Sequence, residues 1–136
     1  MPKVFTSKSQ VKGKIGENIA KKYFINKGFY EIEDNFTTKR GEIDLIMKEN
    51  VSHETSKIHF IEVKSSFCDL SVGFTGNNFR PEENMTPKKV GSLKITIEEY
   101  IIRNNIEGEW VFDLALVYID KKNKLAKVDV LENIIL

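Results

Sequence analysis

The chain has 136 residues, about 40% of them apolar and 30% charged, the composition of one folded domain around a single core rather than of a disordered chain. No apolar run nears the roughly 18 residues of a membrane span, no secretory signal opens the chain, and the lone Cys68 excludes an internal disulfide, so a cytoplasmic protein is expected. The net charge of +1 hides an asymmetry: residues 1–40 carry nine Lys or Arg against four acids, hence +5, and the remainder twelve against sixteen, hence −4.

Residues 1–9 are expected to form a mobile segment ahead of a single domain over 10–136. Ser9 is placed to cap a helix from Gln10 to Asn26, with Val11, Ile15, Ile19 and Tyr23 as its seam and Ala20 and Phe24 widening it. Gly28 ends that helix, and Phe29 to Phe36 alternates as a strand. Glu42 to Lys48 is denser in apolar residues, as a strand buried within a sheet would be. A polar stretch, 49–56, leads to a third strand, Lys57 to Ser65, expected to pair antiparallel with the second.

The segment 66–88 holds Gly73, Gly76, Pro81 and Pro87, too many breakers for a regular element. Thr86-Pro87 fits the cap and first turn of a helix reaching Asn104, whose stripe is Val90, Leu93, Ile97, Tyr100 and Ile101. Trp110 to Ile119 is the most apolar strand, and Leu125 to Leu131 follows the turn at 120–124. The order α-β-β-β-α-β-β predicts an α/β domain, a sheet flanked by two main helices.

Charges inside the apolar strands carry the chemistry, because a buried charge costs several kcal/mol unless it is paired or metal-bound. Alternation puts Phe60, Glu62 and Lys64 on one face of the third strand and Ile61 and Val63 on the other. Asp44 sits between Ile43 and Leu45 and must leave the side its neighbours occupy, so pairing of the two strands brings it to Glu62. Two converging carboxylates suit a hard cation, Mg²⁺ or Mn²⁺, with substrate phosphate as a further ligand, and Lys64 beside them suits a proton relay or a countercharge.

Glu17 is either a further ligand or a surface acid paired with Lys21, and the helix pattern alone favours the surface. Lys39, Arg40, Lys88 and Lys89 are candidate phosphate contacts, although a charged turn and two solvated lysines explain them as well. Phe67, Phe74 and Phe79 are expected to anchor their loop to the core rather than to stack on bases. His53 and His59 lack metal-ligand spacing and are expected at the surface, and Asp113 reads as a structural acid.

The run Gly41-Glu42-Ile43-Asp44-Leu45-Ile46, followed by Phe60-Ile61-Glu62-Val63-Lys64, closely resembles the paired signatures of the bacterial YraN family. That family is similar to the PD-(D/E)XK nucleases, and among them to archaeal Holliday-junction resolvases. Gly16-Glu17, Ala20, Gly28, Asn35, Lys89 and Phe112-Asp113 also match, so the resemblance spans about Gly16 to Asp113.

The resemblance implies a restriction-endonuclease-like fold with a central mixed β-sheet. It implies Asp44 and Glu62 as metal ligands joined by the Val63 carbonyl, Lys64 as the catalytic lysine, and Glu17 as a helix-borne acid. The activity implied is metal-dependent hydrolysis of phosphodiester bonds in nucleic acid, DNA rather than RNA, with branched or structured DNA as the substrate class and a homodimer for two-strand cutting. A non-catalytic nucleic-acid-binding or assembly module on the same fold is the competing expectation, and a structural interaction protein using the basic first helix is a third. Two positions depart from the pattern: Ser66 and Val111 stand where arginines are usual, which weakens phosphate binding without touching the metal site.

Overall fold

The computed structural model describes residues 8–49, 57–71 and 85–136. Helix α1 (Lys8–Asn26) precedes three strands, β1 (Phe29–Thr37), β2 (Glu42–Glu49) and β3 (Ile58–Phe67). Helix α2 (Pro87–Arg103) and strands β4 (Trp110–Asp120) and β5 (Leu125–Leu131) complete the order. The five strands form one sheet, β1-β2-β3-β4-β5. β1 with β2, β2 with β3, and β4 with β5 are antiparallel, while β3 and β4 run parallel. A parallel pair needs a long crossover, and the segment containing α2 supplies it. This mixed sheet is consistent with a restriction-endonuclease-like α/β fold.

The two helices cover opposite faces. Ala20 and Phe24 of α1 pack with Leu45, Met47, Ile61, Ala115 and Val117, whereas Leu93, Ile97 and Tyr100 of α2 pack with Ile43, Ile46, Ile58, Phe60 and Phe112. Lying between two strands and beneath side chains on both faces, β4 is buried from Phe112 to Asp120, which is why it reads as an unbroken apolar run.

Element ends shift by a few residues. α1 starts at Lys8, so Ser9 lies within the helix and does not cap it; β2 takes in Glu49, β3 runs on to Phe67, and β4 to Asp120. β1 carries a bulge between Glu31 and Glu33, which interrupts the alternation expected there. The start of α2 is as the sequence suggests, with Thr86 at the cap accepting from the Lys89 N–H at 3.3 Å and Pro87 in the first turn. Most of the segment expected to be mobile, and the expectations for His53, Phe74 and Phe79, lie outside the described residues.

Candidate active site

Asp44 owes its position to a break in strand alternation. Ile43 packs with the cluster under α2 and Leu45 with the cluster under α1. The two neighbours thus take opposite faces, not the shared face that strict alternation predicts, and the side chain between them stays near the plane of the sheet. Ladder pairing of β2 with β3 ends at Leu45 opposite Ile61. One step further, Asp44 Oδ2 accepts a 2.8 Å hydrogen bond from the Val63 N–H. A carboxylate replaces the ladder carbonyl where the two strands part.

That carboxyl group is crowded by others. Burial pushes its pKa up, the Val63 N–H pulls it down, and the negative charges of Glu17, Glu62 and Glu42 push it up again, from 3.8 to about 7. Burial also raises Glu17, with Lys14 opposing and Glu42 adding to the shift. Glu17 Oε2 is buried and accepts no hydrogen bond, and Lys14 Nζ stands 4.0 Å from it. Lys21, the partner expected for a surface Glu17, binds Glu31 and Asp34 of β1 instead, at 3.0 and 3.1 Å. Helix α1 therefore delivers Glu17 to the sheet. Lys64 Nζ lies 3.3 Å from Glu62 Oε1, each side chain 28% exposed.

Asp44, Glu62 and Lys64 open onto a cavity of about 500 Å³ whose wall includes Glu42, Lys88, Lys89 and Ser92. Gly41 lets the middle of α2 come close to the start of β2, since a Cβ there would stand 2.9 Å from Thr96 Oγ1, and the first turns of the helix wall the cavity. The first turn of α2 holds no acid, so the positive end of the helix and the two lysines Lys88 and Lys89 present positive potential to the cavity. Among the described residues, no three His, Cys, Asp or Glu side chains form a ready metal cage. Two carboxylates at the mouth of an open cavity are nevertheless a donor set that suits Mg²⁺, which keeps several waters and takes substrate phosphate to complete its shell.

A family model described as "Uncharacterised protein family UPF0102" matches residues 16–130. The chain belongs to the UPF0102 family, the YraN family that its strand signatures resemble. It is similar to a UPF0102 protein of Campylobacter jejuni subsp. doylei, 34% identical over 110 residues that cover 81% of this chain and 86% of the relative. A UPF0102 protein of Persephonella marina is 36% identical, with 80% and 84% covered, and one of Campylobacter lari is 35% identical, with 88% of each chain covered.

In this UPF0102 chain the remaining candidate residues fall apart spatially. Lys39 and Arg40 line a different groove, of about 720 Å³, with Ile95, Glu98, Ile102 and Arg103 on the outer side of α2. Lys88 and Lys89, by contrast, share the cavity of Asp44. Glu42 was not singled out from the sequence, although its place two residues before Asp44 was the available signal.

His59 is not a surface residue. It is 8% exposed, and its Nδ1 lies 2.6 Å from Asp113 Oδ2 and its Nε2 3.0 Å from Glu49 Oε1. Period-two alternation, which puts His59 on the same face as Ile61 and Val63, was the overlooked signal. Asp113, 1% exposed, also accepts from the Asn133 N–H at 2.9 Å and so ties the C-terminal segment to the sheet. Phe67 departs the other way: it is 40% exposed and, among the described residues, belongs to none of the core clusters. Among the described residues no helix is long and apolar enough to cross a membrane.

Proposed function

We propose that this UPF0102 protein is a divalent-metal-dependent nuclease that hydrolyses phosphodiester bonds in DNA, with branched or structured DNA as the substrate class that its resolvase-like signatures favour. One observation carries the reading: Asp44 is fixed by the Val63 N–H where β2 and β3 separate, and burial, with the repulsion of three neighbouring glutamates, lifts its pKa to about 7. Such crowding destabilises a fold, and a hard cation relieves it. Asp44 and Glu62 would hold the ion. The N–H and C=O of one strand residue leave on the same edge, so the Val63 carbonyl faces the same gap and supplies a neutral donor. Glu17 of α1, whose buried Oε2 has no hydrogen-bond partner, would add a further acid beside the ion. When bound, Mg²⁺ or Mn²⁺ supplies Lewis acidity at phosphorus and lowers the pKa of a water.

The protein groups perform the rest. Lys64, 3.3 Å from Glu62, orients the attacking water and balances charge that develops on the phosphoryl oxygens. Lys88, Lys89 and the α2 N-terminus hold the phosphate in the cavity. The test is cleavage of labelled four-way junctions, flaps and plain duplex with and without Mg²⁺ or Mn²⁺. Metal-dependent cleavage, lost in Asp44→Ala and in Lys64→Ala, is the expected result; no cleavage of any substrate with either metal defeats the proposal.

A specific observation favours the second reading, a binding or assembly module: among the described residues no three His, Cys, Asp or Glu side chains form a ready cage. In that case salt-sensitive DNA binding survives Asp44→Ala and no cleavage accompanies it. Cutting both strands of a symmetric substrate would further require a homodimer, which sedimentation in the presence of a junction reads directly.

A further inference from the structure

Phe67 is a large aromatic side chain that the fold leaves at the surface, 40% exposed, at the last position of β3. Two ammonium groups lie against it, Lys12 Nζ at 5.7 Å and Lys121 Nζ at 4.1 Å from the ring centroid. The backbone enforces this convergence. Gly16 of α1 sits against Ser65, and Lys12 is one helical turn before Gly16 while Phe67 is two strand positions beyond Ser65, so both lie further along the same contact. Phe67 is paired in register with Ile119, and Lys121 stands two residues past it at the β4–β5 turn. Three separate elements thus meet around one ring.

Among the described residues neither ammonium has a carboxylate partner. The ring face attracts each ammonium, but no carboxylate among the described residues balances the two like charges gathered there. They match a ligand that offers a flat π face flanked by anions. A nucleobase between two phosphates is such a ligand: base–aromatic stacking is stronger than an exposed lysine–phenylalanine contact, so a base displaces the ammonium groups from the ring and leaves them free to bind phosphate. Phe67 shares the α1 face of β3 with Val63 and Ser65, whereas Glu62 and Lys64 open onto the cavity on the α2 side, so the ring stands on the opposite face of the sheet, at the end of the strand that carries them.

We infer that Phe67, with Lys12 and Lys121, is a stacking platform for an unpaired nucleotide on the α1 side of the sheet, so that the nucleic acid this protein binds carries a single-stranded stretch. The inference rests on the nuclease reading for its choice of ligand, but binding tests it without catalysis. It gives Phe67 a positioning role and assigns it no chemistry.

The experiment is fluorescence anisotropy in EDTA with the full chain, using a labelled single-stranded oligonucleotide and a blunt duplex of the same length, alongside 2-aminopurine emission from the single strand. Phe67→Ala should weaken single-strand binding about 5- to 150-fold and leave the duplex affinity within about twofold. Phe67→Tyr should restore binding, and 2-aminopurine quenching should follow the aromatic ring. The paired change Lys12→Ala, Lys121→Ala should flatten the salt dependence of single-strand binding. Because Phe67 is outside the core, unchanged melting temperatures will show that these variants fold. Wild-type binding that Phe67→Ala leaves intact, quenching that persists in it, or a wild type that does not bind the single strand overturns the platform; the nuclease reading stands or falls separately on metal-dependent cleavage.

Discussion

Gly16 lies so close to Ser65 that a Cβ built on the glycine would stand 1.6 Å from the serine Oγ and 2.8 Å from its Cβ. This contact sets the height of α1 above β3, and with it the reach of Glu17 toward Asp44. Gly16→Ala should therefore force helix and strand apart and cost about 1–3 kcal/mol, measured by urea unfolding. Metal-dependent stabilisation should weaken in the same variant. Ser65 Oγ is buried without a hydrogen-bond partner, so Ser65→Ala should raise stability, by roughly 1 kcal/mol.

Asp44 makes stability depend on pH in a fixed sense. Its folded pKa is about 7 against 3.8 for a free carboxyl, so between those values the folded chain holds more protons than the unfolded one and stability falls as pH rises. Asp44→Asn removes the charge and keeps an acceptor for the Val63 N–H. The variant should be more stable than wild type by a few kcal/mol at pH 8, and the gain should vanish below about pH 4. Melting curves across that range decide the matter; a variant less stable than wild type at pH 8 contradicts the raised pKa.

A cation at this site must displace the Asp44 proton. Mg²⁺ or Mn²⁺ should therefore raise the melting temperature more at pH 8 than at pH 6. Asp44→Asn should respond weakly at both values. A metal-induced shift equal at both pH values, or undiminished in the variant, would place the ion elsewhere.

His59 gives a second pH dependence, independent of the candidate site. Burial opposes its protonation, but Asp113 and then Glu49 outweigh it and raise its pKa above the ordinary 6.5. Because the folded pKa is the higher one, the stabilisation is complete below pH 6.5 and is lost as pH rises through the folded value. His59→Gln should cost roughly 3 kcal/mol at pH 6 and less at pH 9, while leaving metal binding unchanged. Denaturant midpoints at the two pH values measure the difference.

Much of this protein is written locally. The seam of α1, the Thr86-Pro87 start of α2 and the apolar run of β4 follow from periodicity and capping, which act over a few residues, and so did the expectation that β2 and β3 pair. The candidate site residues were legible for the same reason, since Asp44, Glu62 and Lys64 interrupt otherwise apolar strands. What the sequence could not settle depends on which distant segments touch. Glu17 has the helical spacing of a surface acid until Gly16 presses α1 onto Ser65. His59 is an isolated imidazole until β4 brings Asp113 to 2.6 Å. Phe67 is one loop aromatic among several until α1 and the β4–β5 turn set lysines beside it. Burial and electrostatic potential are sums over neighbours in space, and only the folded chain specifies those neighbours.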